Sequence, residues 1–182
     1  MENSSTNKFK HAIFQGFSNN ADGWIPPPKG YVCVCVNASI HQQGDAICEG
    51  VFQNEQEDWI LGFRRELGRA IISVAELLAI RIGLEICHQQ KFQKIKLFSD
   101  SLEAINMLSG DYHSDSSFNE VTAIHDLIYS NWDFVIKQTS RENLNCANYL
   151  AKTAYTVGAN TILLWNRPLG CLDILLLDKR NA

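Results

Sequence analysis

The stretch Lys94–Leu108, KIKLFSDSLEAINML, constrains the fold more than any other. An apolar run ends in Ser99-Asp100-Ser101, and a helical pattern begins at once. A strand that stops on a carboxylate where a helix starts is a site-like arrangement, because open α/β sheets bind ligands beyond the carboxyl ends of their strands. The rest of the chain reads as a sheet assembled around this strand, with other polar side chains brought toward its end.

Upstream, Tyr31–Ser39 is apolar on both faces as far as Val36, as expected of a central strand covered on each side. Ala46–Phe52 is a second strand. Trp59–Leu67 places Trp59, Leu61, Phe63 and Leu67 on one face by strict alternation. Short turns at His41–Asp45 and Asn54–Asp58 join the three into an antiparallel meander. The period then changes. Ser73–Gln89 carries Val74, Leu77, Leu78, Ile82 and Ile86 at helical spacing and reads as a largely buried helix. After the Ile95–Phe98 strand come helices over Ser101–Leu108 and Asn119–Ser130, a strand at Trp132–Gln138, and a helix from Asn143 to Val157 with Gly158 as its cap. Strand–helix–strand crossovers require parallel neighbours, so the expected sheet is mixed and five-stranded: antiparallel in its first half, parallel in its second, flanked by helices.

Residues 1–29 are polar and then proline-rich, WIPPPKG at Trp24–Gly30, and read as a flexible leader that docks near Trp24. Residues 30–158 form the domain, and 159–182 a tail packed on it. The six cysteines have no CxxC spacing and lie in apolar segments, which suits buried thiols in an intracellular, reducing compartment. No signal peptide or membrane-spanning run is visible. A formal net charge of -4 argues against a binder driven by bulk positive charge, although Arg64, Arg65, Arg69, Lys91, Lys94 and Lys96 could form a local basic patch.

Several motifs in sequence carry a resemblance: VNAS at Val36–Ser39, GVFQNEQEDWILGFRRELG at Gly50–Gly68, AELLAIRIGLEIC at Ala75–Cys87, FSDSLEAI at Phe98–Ile105 and SRENLNCANYLAK at Ser140–Lys152. With this order and spacing the chain resembles the type 1 ribonuclease H domains, in particular the plant group related to retroelement polyproteins. The resemblance runs from about Trp24 to Asp178. It implies a ribonuclease H-like α/β fold. It also implies a site in which four carboxylates hold two Mg2+ or Mn2+ ions for hydrolysis of the RNA strand of an RNA–DNA hybrid. Two ions around one phosphate need several anionic oxygen ligands to offset their charge.

Carried over by position, the family's four acids fall on Asn37, Glu76, Asp100 and Asn148, so two of the four are amides. Glu76 and Asp100 are the expected metal ligands. Asn37 and Asn148 supply no charge, and each amide NH2 is a donor that must point away from a metal. At ~4 Å and an effective dielectric of about 20, each lost ion–carboxylate pair forfeits at most roughly 4 kcal/mol. The family's glycine after the first acid is Ala38, and its loop histidine falls on Gln138, which cannot act as an acid or base near neutral pH.

The expectation is a monomeric ribonuclease H-like domain with weak or lost catalysis and a weakened or absent metal site. RNA or RNA–DNA hybrid would be contacted through Ser39, Arg64, Arg65, Arg69 and Ser101. An active hybrid ribonuclease with a reduced metal site and a protein-interaction module on the same scaffold are the alternatives, with Asp45 and Glu142 weighed as compensating acids. Local roles also stand open: Ser73-x-x-Glu76 has capping-box spacing, and Asp100 could cap its helix with Glu103 three residues on.

Overall fold

The computed structural model describes residues 27–41, 43–110, 118–130, 132–152 and 160–174. The proposed docking of Trp24, the end of the last helix after Lys152 and the Gly158 cap lie outside them. The strands are β1 (Val32–Ile40), β2 (Asp45–Gln53), β3 (Trp59–Arg69), β4 (Lys94–Ser99), β5 (Asp133–Gln138) and β6 (Ile162–Leu164). The helices are α1 (Ile72–Gln89), α2 (Leu102–Ser109), α3 (Phe118–Ile128) and α4 (Asn145–Lys152), with a 3-10 turn at Arg141–Leu144 leading into α4.

The sheet is mixed, in the order β5-β4-β1-β2-β3-β6. β1, β2 and β3 form the antiparallel meander, and β1–β4 and β4–β5 pair in parallel. The number of strands needs correction: there are six, because the tail does more than pack on the domain. Its segment Ile162–Leu164 pairs antiparallel with Gly62–Arg64 of β3. Three half-buried aliphatic residues are too short a run to be recognised as a strand without their partner.

The alternation of β1 sorts the layers. Val34, Val36 and Ala38 join the core under α1, which lies against β1 and β2. Leu77, Ile80 and Leu84 of α1 are fully buried there, each stabilising by about 1.5–3 kcal/mol. Cys33 and Cys35 face the other side, with Phe98 and Leu144. On that side α4 covers β2 and β1, and Cys146, Ala147 and Leu150 pack on Val51 and Cys171. The tail is seated by Trp59 Nε1, which donates to the Leu164 carbonyl (3.3 Å), and by Gly170 beneath the Tyr149 ring.

A methyl group on Gly170 would overlap the Tyr149 ring. Gly170→Ala is therefore expected to cost about 1–3 kcal/mol and to loosen the tail. Thermal melting and faster proteolysis within residues 160–174 would register both effects.

Candidate functional site

β1 and β4 run parallel with Cys35 opposite Phe98, so Asn37 and Asp100 come just beyond this last pair, side by side at the carboxyl ends of the two central strands. Glu76 arrives from the start of α1 and accepts the Ala38 backbone N–H, which ties it to the same end of β1. Asn148 comes from α4, on the opposite side of the sheet from α1, and its Oδ1 accepts from Asn37 Nδ2 at 3.1 Å. The structure thus brings the four expected site residues, Asn37, Glu76, Asp100 and Asn148, to one place.

Neither local capping role is taken up. The cap of α1 is Ile71, with no side-chain cap bond, and Ser73 lies inside the helix. The cap of α2 is Ser101, whose hydroxyl accepts from the Ala104 N–H at 3.2 Å. Neither Asp100 nor Glu76 is therefore the side-chain cap of its helix.

One site residue escaped the sequence reading. Glu49, opposite Asn37 in the β1–β2 ladder, is fully buried and accepts from Asn37 Nδ2 at 2.9 Å. The available signal was a single carboxylate at the centre of the strand AICEGVF, in phase with the covered face. Burial pushes the Glu49 carboxyl up to about 8; the Asn37 hydrogen bond opposes this, the Glu76 charge adds to it, and Arg64 and Arg141 oppose it. Burial likewise pushes Glu76 up to about 8, with the Asp100 charge adding and the Ala38 N–H and Arg141 opposing. Among the described residues, Oε2 of Glu49 and Oε2 of Glu76 are buried without a hydrogen-bond partner.

The remaining expected contacts do not converge. Arg64 is buried, paired with Glu49 across the β2–β3 ladder, whereas Arg65 is half-buried and Arg69 exposed. Ser39 lines a cleft of about 560 Å³ together with His41, Arg141, Glu142, Asn148 and Lys152. Lys94 and Lys96 lie on β4, which β1 and β2 separate from β3, so the lysines and arginines do not form one patch. Lys96 stands over the Phe98 ring at 5.3 Å, and burial lowers its pKa. Asp45 opens β2, paired with Arg69, and Glu142 lies exposed on the cleft wall.

These donors do not fit a pair of divalent ions. Glu76 and Asp100 offer carboxylates, but the positions of the first and last acids hold amides, and the Asn37 NH2 group is turned toward Asn148 and Glu49. The partly positive N–H groups of an amide repel a cation. Among the described residues no group of three or more His, Cys, Asp or Glu side chains is placed to hold a metal ion.

Both buried glutamates have folded-state pKa values above the ordinary 4.5, so the folded chain holds protons that the unfolded chain releases. Their contribution to stability is present below about pH 4.5 and is lost as the pH rises through about 8. Melting temperatures should fall across this window, and Glu76→Gln should flatten the decline; a pH series of calorimetric melts checks it.

Comparison with known proteins places this geometry. The profile of the family described as reverse transcriptase-like matches residues 32–154. A search of curated proteins returned no match. Among solved structures, RNase H1 from the halophilic archaeon Halobacterium salinarum NRC-1 superposes with a TM-score of 0.61 at 20% identity, covering 66% of this chain and 93% of that one. LC11-RNase H1 in complex with an RNA/DNA hybrid gives 0.60 at 16% identity, covering 65% and 92%. The foamy viral protease-reverse transcriptase in complex with dsDNA gives 0.54 at 14% identity, covering 70% and 94%. With a family profile spanning most of its length and a sheet that superposes on ribonucleases H, the chain belongs to the reverse transcriptase-like family of ribonuclease H-like domains.

Proposed function

We propose that this domain binds RNA or RNA–DNA hybrid and has weak or no hydrolytic activity. The observation that carries the reading is the hydrogen bond from Asn37 Nδ2 to Asn148 Oδ1, 3.1 Å, between the two positions where the family resemblance expects metal-binding acids. A direct amide–amide contact supplies neither the charge nor the ligand oxygens that two-metal displacement requires. Glu76 and Asp100 remain as the candidate ligands of one weakly held Mg2+ or Mn2+ ion. The hybrid in the complex of LC11-RNase H1 indicates the substrate class to test. Ser39, Ser101, Arg65 and Arg69 are the candidate contacts, while the buried Arg64 sits in the row with Glu49.

A second reading, a protein-interaction module, is favoured by Trp165 and Leu169, which are 56% and 86% exposed on the tail. Salt separates the two. Phosphate contacts release counterions, so hybrid affinity should drop steeply between low and physiological salt, and contacts through an apolar tail should not.

A gel-shift series with an RNA–DNA hybrid at several salt concentrations is expected to show salt-dependent binding, and parallel incubations with Mg2+ or Mn2+ to yield little or no cleaved RNA. Vigorous cleavage by the natural chain, abolished by Asp100→Asn, would sink this reading.

A further inference from the structure

Glu49 belongs to none of the positions that the family pattern marks, yet a series of side-chain hydrogen bonds through Asn37 and Asn148 begins at it. It is fully buried on the face of β2 that α4 covers, and its partner across the ladder, Asn37, is buried as well. A carboxyl in such a place is costly unless a donor meets it. Asn37 meets it with Nδ2, 2.9 Å from Glu49 Oε1. That bond decides more than itself. With Nδ2 turned to Glu49, the second N–H of Asn37 points at Asn148, which must present its oxygen, 3.1 Å away. Asn148 then has its own Nδ2 on the other side, where it donates to the Arg141 carbonyl at 3.1 Å. Reversing Asn37 would bring its oxygen against the carboxyl, and reversing Asn148 would set donor against donor and oxygen against carbonyl. The two amides are oriented in series, and the series starts at Glu49.

We propose that Glu49 is a positioning residue that fixes the orientation of both Asn37 and Asn148, so that an acid is tolerated at position 37 only when position 49 is not one. This rests on the reading of the cleft as a hydrolytic site that has lost charge, but it is testable without nucleic acid. In an Asn37→Asp variant two carboxyl groups would face each other in a buried site, where both cannot ionise. The Asn148 oxygen would add a third acceptor, against the single proton that the two carboxyl groups would share. A glutamine at position 49 reverses the matter: opposite Asn37 it still offers an acceptor oxygen, and opposite an aspartate it offers a donor.

The experiment follows the side-chain amide resonances of Asn37 and Asn148 by NMR in the full chain and its Glu49→Gln and Glu49→Ala variants. Glu49→Gln should keep both amides close to their natural signals. Glu49→Ala should move both and speed hydrogen exchange at Asn37 by about tenfold, the loss of one buried hydrogen bond. Thermal melts supply the second arm, which decides the matter if Glu49→Ala fails to fold. Asn37→Asp should lower the melting temperature by about 5 °C, and adding Glu49→Gln should return most of it. Unmoved Asn148 signals in Glu49→Ala, or an Asn37→Asp variant that melts alike with either residue at position 49, would overturn the proposal. Hybrid cleavage is measured separately, so the functional reading and the role of Glu49 can fail independently.

Discussion

The parallel pairing of β1 with β4 is the constraint from which the rest follows. Two adjacent parallel strands cannot be joined by a tight turn, so the chain leaves the sheet after β3 and returns through α1 before β4 is laid down. The same pairing puts Asn37 and Asp100 at one end of neighbouring strands, and the start of α1 delivers Glu76 there. The cleft is thus a by-product of topology: any sequence that folds this way gathers these positions, whatever residues occupy them. Chemistry is then decided by identity at a handful of sites, which is how a scaffold can outlast its reaction.

The fold was legible because its main elements announce themselves in two different periods. Trp59–Leu67 alternates cleanly, Leu77 to Ile86 recur at helical spacing, and Ser99-Asp100-Ser101 marks the junction between the two. β6 was not legible, since three half-buried residues form a strand only because Gly62–Arg64 offers an open edge. Glu49 was missed for a related reason. Along the chain it looks like one polar residue in an apolar strand. Its meaning comes from Asn37, to which a ladder pairing and not the sequence order brings it. Register between strands depends on turn geometry and side-chain packing over several residues, and a list of residues does not display it. The cap of α2 is a smaller instance: Ser101 and Asp100 both have the chemistry, and only the backbone direction at the strand end decides that the serine takes it.

Burial sets the electrostatics around Glu49 and Glu76. Counter-charge from metal ions would keep neighbouring carboxyl groups ionised. In this chain burial dominates at both Glu49 and Glu76, and each is raised to about 8. Arg141, which lines the cleft, lowers both, and Arg64, opposite Glu49 in the β2–β3 ladder, lowers Glu49.

The seam between β3 and β6 bears on where this folding unit ends. Ile162–Leu164 satisfies the outward main-chain groups of Gly62–Arg64, a stretch that would otherwise be the margin of the sheet. A shortened version stopping before residue 160 would present that margin to other molecules. Bare strand margins invite pairing between chains. Pairing at this seam covers that margin, and packing against the domain continues as far as Ile174, past the end of α4.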